Sequence, residues 1–341
     1  MENWSRYKTE FLLIITISAL ISAAFTSFTG TSGMKKWGFY GHKRINRMAI
    51  FTLPPEMFGF YKDHIEYITE HAVDPDKRRY AVKGEAECHY IDIDHYTKYG
   101  EDPFEVVPRS WNRAAEKFSE DTLRAYGIVP WHIQVVKRRL QRAFEAKNTD
   151  LILKYSSDLG HYIADAHVPL HTTENYNGLM TGQRGIHGLW ESRLVELNMD
   201  SYDYFVGKSR YIEDPLDYAW HTVRQSHYAL DSVFRFEKDI TREMAPDKKY
   251  AYEQRGNQTI QTYSVAFSQE YHRRLNGMVE RRMRQSVIAV GSFWYTAWVD
   301  AGQPDLTSLQ RIPPSAQLLK ELNELDDLYK KGNVKGRDCE H

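Results

Sequence analysis

Ser157-Asp158-Leu159-Gly160-His161-Tyr162-Ile163-Ala164-Asp165-Ala166-His167-Val168-Pro169-Leu170-His171 is the stretch on which the reading of this chain turns. His161 and Asp165 are four residues apart, so on a helix they stand one turn above each other on the same side. Pro169 ends that helix before His171. The stretch therefore offers two metal-ligand types in register and a third that the chain turns back toward them. Upstream, Leu151, Tyr155, Leu159, Tyr162, Ile163 and Ala166 form an apolar stripe, with Thr149 or Asp150 as its cap. His161 and Asp165 fall on the flank of that stripe.

Downstream, residues 172–185 are rich in Thr, Asn and Gly and have no apolar period, which predicts a loop. The loop ends at His187-Gly188-Leu189-Trp190-Glu191, where a His and a carboxylate repeat the four-residue spacing. Toward the N-terminus, Ile45, Met48, Ala49 and Thr52 mark a helix with His42 at its first turn, stopped by Pro54-Pro55. Residues 57–70 read as another helix and 71–79 as a polar loop, in which Asp74 and Asp76 suit turn chemistry. In 87–95 His89, Asp92, Asp94 and His95 interleave with apolar residues, the pattern of a short strand. Helices are predicted over 111–126, from Pro130 through Phe144, and over 215–236, 250–275, 279–299 and 316–329. No repeat or low-complexity linker divides this array, so the fold class expected is an all-α single domain.

Composition sets outer limits. The 341 residues are 42 % hydrophobic and 27 % charged, ordinary for a folded protein, and the net charge is -1. That balance makes no case for a duplex-binding surface, though it leaves room for a local basic groove. Arg6 and Lys8 precede an apolar run from Phe11 to Phe25 and the small residues Ser22-Ala23-Ala24. The run is shorter than the roughly 20 residues that span a bilayer, so residues 1–36 read as a leader for export. An uncleaved N-terminal anchor is the alternative. No Cys lies near the run; the two cysteines are Cys88 and Cys339, whose pairing the sequence leaves open.

Zinc takes three or four ligands from imidazole nitrogen and carboxylate oxygen. The sequence offers His42, Asp74, His89, His161, Asp165, His171, His187 and Glu191. Any one alone is an ordinary surface or core residue. Buried together, each would need a partner of its own at a cost of several kcal/mol, and shared cations supply that compensation. No His-Glu-x-x-His motif is present, which removes the commonest zinc peptidase arrangement.

The ordered set Trp37-x4-His42, Asp74-x14-His89, His161-x3-Asp165-x5-His171 and His187-x3-Glu191 resembles the zinc-dependent phospholipase C and S1/P1 nuclease superfamily, across residues 37–191. The resemblance implies one multi-helix phosphodiesterase domain over 37–310, followed by a C-terminal helix and polar tail over 311–341. It implies two or three zinc ions. Asp74, His89, His161 and Asp165 would hold one; His171, His187 and Glu191 a second; Trp37, through its backbone, with His42 and Asp165 a third. Asp165 would bridge two ions, and Asp74 and Asp165 would take the catalytic positions.

In such proteins the Trp is the free N-terminus, whereas here Lys36 precedes Trp37. The reaction implied is hydrolysis of a phosphoric ester by water activated at the zinc cluster. Lys77 or Arg78 would add a positive contact to the phosphate, and Tyr90 and Asp92 occupy positions that border a base-binding pocket in the nuclease branch. Glu191 resembles the phospholipase branch, while His89-Tyr90-Ile91-Asp92 and His187-x2-Trp190 look more like the nucleases. The reading that results is a phospholipase C-like enzyme acting on a phospholipid head group. Its alternative is a nuclease, or 3'-nucleotidase, acting on single-stranded nucleic acid. A non-catalytic, zinc-stabilised exported protein is the alternative of another class, and no protein partner is predicted.

Overall fold

The computed structural model describes residues 39–79, 81–98, 100–255 and 258–331. Trp37, Cys339 and the leader assigned to 1–36 lie outside the described residues. Helices dominate. They are α1 Phe39–Ala49, α2 Pro55–Asp63, α3 Ile65–Glu70, α4 Asp74–Arg78, α5 Pro103–Val106, α6 Trp111–Phe118, α7 Glu120–Ala125 and α8 Val129–Glu145. There follow α9 Thr149–Ala166, α10 Leu194–Asn198, α11 Pro215–Tyr228, α12 Leu230–Glu243, α13 Val265–Arg274, α14 Met278–Asp300 and α15 Ala316–Lys330. Strands β1 Tyr250–Arg255 and β2 Gln258–Tyr263 pair as a hairpin between α12 and α13. The described residues divide into two units, a larger one within 39–251 and 261–331 and a smaller one within 252–260. In the smaller one, Thr259 Oγ1 donates to Gln254 Oε1 at 2.8 Å.

The axis of the larger unit is α9, which packs against α1, α8 and α14. Asn148, rather than Thr149 or Asp150, is its cap, accepting the Leu151 N–H at 3.0 Å. The helix is covered on nearly every side except at Leu151, which is exposed, so it has no solvent flank at its C-terminal end. His161 and Asp165, expected on a flank, are 0 % and 1 % exposed. Polar groups so placed must find partners inside the protein. At the far end of α9 the core closes on Trp294, which stacks on Tyr61 with ring centroids 4.9 Å apart and donates its indole N–H to the Ser156 carbonyl at 3.0 Å.

Gly160 sets how closely α1 approaches. A Cβ there would overlap the Asn46 side chain, whose Nδ2 donates to the Ser157 carbonyl at 3.1 Å. With the Asn46 side chain seated against that glycine, the His42 ring of α1 stacks on His161 of α9 at 4.0 Å between centroids. Asn46 lies one turn beyond His42 on the same face. The packing that needs glycine is therefore also what aligns the two imidazoles.

Several predicted elements change form. Residues 57–70 are two helices that break at His64, and 111–126 break at Ser119, whose φ of 70° is left-handed and whose Oγ caps α7. The 71–79 segment is a 3-10 turn followed by α4, not a loop. Residues 87–95 form no strand; 3-10 turns at Ala86–Cys88 and Ile93–Tyr96 flank a stretch whose Ile91 and Asp92 N–H groups donate to the His171 and Tyr126 carbonyls at 2.9 and 2.7 Å. The predicted helix 250–275 is a hairpin and then α13. Its first half is rich in Tyr, Thr and Gln around a Gly256-Asn257 pair in the sequence, and side chains that suit a pleated surface win over a weak helical period.

Candidate metal centre

Six separate segments deliver the polar side chains that meet beside α9. α1 brings His42, α4 brings Asp76, the stretch after the first 3-10 turn brings His89, and α9 brings His161 and Asp165. The 3-10 turn Pro169–Thr172 carries His171. His187 and Glu191 stand at a π-helical turn, Gly188–Arg193, a widened helix form that recurs at functional sites.

In the first group, His89 Nδ1 lies 3.0 Å from His161 Nε2 and 2.9 Å from Asp165 Oδ2, and His161 Nε2 lies 3.2 Å from the same oxygen. Asp76 Oδ1 closes the group at 3.8 and 3.7 Å from the His89 and His161 nitrogens. In the second, His171 Nε2 and His187 Nε2 are 3.1 Å apart, and Glu191 Oε2 is 3.3 Å from one and 2.7 Å from the other. In the third, His42 Nε2 faces Asp165 Oδ1 at 3.5 Å and Glu191 Oε1 at 3.6 Å. Two carboxylates therefore divide their oxygens: Asp165 between the first and third groups, Glu191 between the second and third. The double role of Glu191 was not legible from its spacing.

These separations fit zinc. Donors about 2.0–2.1 Å from a tetrahedral ion stand roughly 3.3 Å from one another, and the edges here scatter around that value. Two imidazoles also have their tautomer set. His161 Nδ1 donates to the Ala72 carbonyl at 2.9 Å and His171 Nδ1 to the His89 carbonyl at 2.8 Å. A carbonyl has no proton to give, so Nδ1 carries one and Nε2 is the nitrogen turned inward, free to ligate once it gives up any proton of its own.

Electrostatics point the same way. Burial would raise the Asp165 carboxyl, but the His161 and His171 imidazoles hold it well below the usual carboxylate range. Glu191 is likewise held down, against its burial, by His171. Burial pushes His89 down to about 4, keeping it neutral. Burial opposes protonation of His161 too, yet the Asp165 and Asp76 carboxylates draw it up to about 9. The cluster thus demands positive charge, which a proton or a metal cation can meet.

Of the residues singled out in the sequence, the structure brings together His42, His89, His161, Asp165, His171, His187 and Glu191. Asp74 is corrected to Asp76. Residues two apart on a helix point to nearly opposite sides, and it is Asp76 that faces the cluster. Asp74 instead accepts from Lys77 Nζ at 3.0 Å and pairs with His71 Nδ1 at 2.7 Å. Lys77, assigned to substrate, bridges Asp74 to Asp326 of α15 at 2.8 Å and turns away from the cluster. Arg78 is likewise engaged elsewhere, with Asp158 at 3.0 Å and Glu85 at 3.3 Å, and Glu85 stands 3.8 Å from His89 Nε2. Tyr90 and Asp92 are buried, and the Tyr90 backbone and ring close against Gly127. Tyr90 nonetheless borders the small cavity beside His89, His171 and His187.

The cation that does reach the cluster is Arg79, buried, with its guanidinium 3.8 Å from Asp76 Oδ1 and lining a small cavity with His89, Tyr90, Leu170, His171, Tyr176 and His187. Its three-residue spacing from Asp76 was the available signal. His167, two residues past Asp165 and off the His161–Asp165 face, is buried and donates Nδ1–H to the Ile163 carbonyl at 2.7 Å.

A pair of substitutions tests the Asp76 assignment. Asp76→Asn is expected to lower zinc affinity about 100-fold or more, since ligand loss exceeds the 10–100-fold typical of outer partners. Asp74→Asn is expected to leave bound zinc unchanged. Metal analysis of the two proteins after dialysis checks this; equal zinc content in both overturns the assignment.

No protein-family model and no curated protein matches this chain.

Proposed function

We propose that this protein is a zinc-dependent hydrolase of phosphodiester bonds, of the zinc-dependent phospholipase C and P1 nuclease type, with a phospholipid as the favoured substrate. The observation that carries the proposal is the pair of carboxylates, Asp165 and Glu191, that divide their oxygens among three adjoining donor groups. Single structural zinc sites use closed, separate ligand sets; shared carboxylates belong to sites where neighbouring ions act on one substrate.

Asp76, His89, His161 and Asp165 would hold one ion, His171, His187 and Glu191 another, and His42 with the remaining oxygens of Asp165 and Glu191 a third. Zinc bound there supplies Lewis acidity, polarising a phosphoryl oxygen and lowering the pKa of water to about 7. The chain's own contribution is positional. Ala72 and His89 carbonyls aim the His161 and His171 rings, and buried Arg79 places a permanent positive charge beside the donors, where it meets a phosphate oxygen as negative charge gathers. The apolar surround of α9, α1 and α14 lowers the local dielectric and strengthens both effects.

Glu191, the carboxylate that resembles the phospholipase branch at the last ligand position, supports the lipid reading. A specific observation favours the nuclease as second reading. A groove of about 790 Å³ is lined by Lys83, Arg124, Arg138 and Arg139 beside Trp111 and Trp131, a combination of cations and indoles that suits a single strand. Side-by-side assays of the zinc-loaded protein on phosphatidylcholine micelles and on single-stranded DNA decide between them. Lipid hydrolysis is expected; hydrolysis of DNA alone selects the second reading, and hydrolysis of neither sinks both.

A further inference from the structure

The loop that joins His171 to His187 holds two large apolar side chains out into solvent. Leu179 is 65 % exposed and Met180 70 % exposed. Neither is left out by floppiness. Asn175 Oδ1 accepts the Met180 N–H at 2.9 Å and Asn175 Nδ2 donates to Thr181 Oγ1 at 3.0 Å. The Thr181 and Gln183 N–H groups donate to the Gly178 carbonyl at 3.2 and 2.8 Å. Gly178 and Gly182 take left-handed conformations on either side of the tip, with φ of 73° and 72°. At Gly178 a Cβ would strike the Gln183 backbone, so glycine is required for the turn. The base is pinned as well: Gln183 Nε2 donates to the Phe234 carbonyl at 2.8 Å, and the Gly185 N–H donates to Asn177 Oδ1 at 3.0 Å.

We infer that Leu179 and Met180 form a rigid wedge that inserts into a phospholipid surface and seats the metal centre against it. The inference rests on the phosphodiesterase reading for its purpose, and on the loop's geometry for its substance. Two side chains on a narrow tip are far below the roughly 1,000 Å² that a stable protein interface needs. They are enough for shallow insertion at a membrane interface, where each apolar side chain leaves water without a shaped partner. Arg184, exposed and four residues past Met180, adds a cation close to the tip in sequence, which an interface of lipid phosphates favours. A nucleic-acid strand gains little from two aliphatic side chains, which lack the flat face on which bases stack. The tip is connected on both sides to donors of one group, since His171 precedes the loop and His187 follows it, so its depth sets the distance from lipid to metal centre.

The experiment is vesicle flotation with phosphatidylcholine liposomes, run on the full chain in chelator so that no lipid is consumed. Each protein is also assayed, zinc-loaded, on a soluble monomeric phosphodiester. Wild type is expected to float, and Leu179→Ser with Met180→Ser to lose about tenfold or more of its partitioning, with unchanged turnover of the soluble substrate and an unchanged melting curve. Equal flotation of wild type and double variant, or no flotation by wild type, overturns the wedge. So does a variant that loses binding to a labelled oligonucleotide but not to vesicles. The two ideas fail separately: flotation without any hydrolysis sinks the phosphodiesterase reading alone, and soluble turnover without flotation sinks the wedge alone.

Discussion

Asp165→Asn is expected to lower kcat/KM on the proposed phosphodiester substrate by about a thousandfold or more, equivalent to ~4 kcal/mol of transition-state stabilisation, and to abolish the proposed zinc binding. The carboxylate is fully buried and meets His89 and His161 through one oxygen and His42 through the other. An amide keeps the shape but replaces one oxygen with a group that cannot ligate, so whichever way it turns, either the first or the third donor group loses a member. It also removes the negative charge that draws His161 up, which leaves fewer reasons for cations to gather there. Steady-state kinetics and metal analysis on the same preparation check the result, with circular dichroism to show that the helices persist. Full metal content with full activity would show that Asp165 is merely a buried hydrogen-bond acceptor.

Removing zinc with a chelator is expected to lower the unfolding midpoint by roughly 10 °C, reversed by adding zinc back. Two ions, each present about a thousandfold above its dissociation constant, contribute ~8 kcal/mol, and a chain of this size shifts by about 1.5 °C for each kcal/mol. The effect has a physical source in Asp76, Asp165 and Glu191, which stay buried beside imidazoles whether or not a cation neutralises them. It also has a pH signature. His161 binds a proton up to about pH 9 through its carboxylate neighbours, although burial disfavours the charged ring. A metal must displace that proton, so zinc affinity rises with pH through the neutral range and binding releases protons. Calorimetric titrations in buffers of different ionisation enthalpy read that release directly. An unchanged melting curve in chelator, or affinity that does not vary between pH 6 and pH 8, contradicts this account.

How far the sequence reached can be judged from particular residues. Four of the cluster's side chains, His161, Asp165, His187 and Glu191, were legible because His-x3-Asp and His-x3-Glu are local patterns, and local spacing survives folding; His42, His89 and His171 joined them only through the longer ordered set that carries the resemblance. Asp76 was not legible. Both aspartates of Asp74-Pro75-Asp76 suit a turn or a ligand, and the choice depends on how a five-residue helix is rolled against α9. Arg79 follows from the same rotation, which turns Lys77 out to Asp326 and Arg79 in to Asp76. The hairpin before α13 escaped because a weak helical period competes poorly with cross-strand pairing, which a one-dimensional pattern does not contain.

The sequence by itself determined that this chain is mainly helical and that histidines and carboxylates recur at ligand spacing on its helices, since periodicity and punctuation are properties of neighbouring residues. Only the tertiary structure decided which carboxylate of α4 turns inward, that Glu191 shares its second oxygen with His42, and that Gly160 lets α1 close until His42 stacks on His161. Those outcomes depend on how helices far apart in the chain pack, and packing selects one rotation of each helix by the volume its neighbours leave.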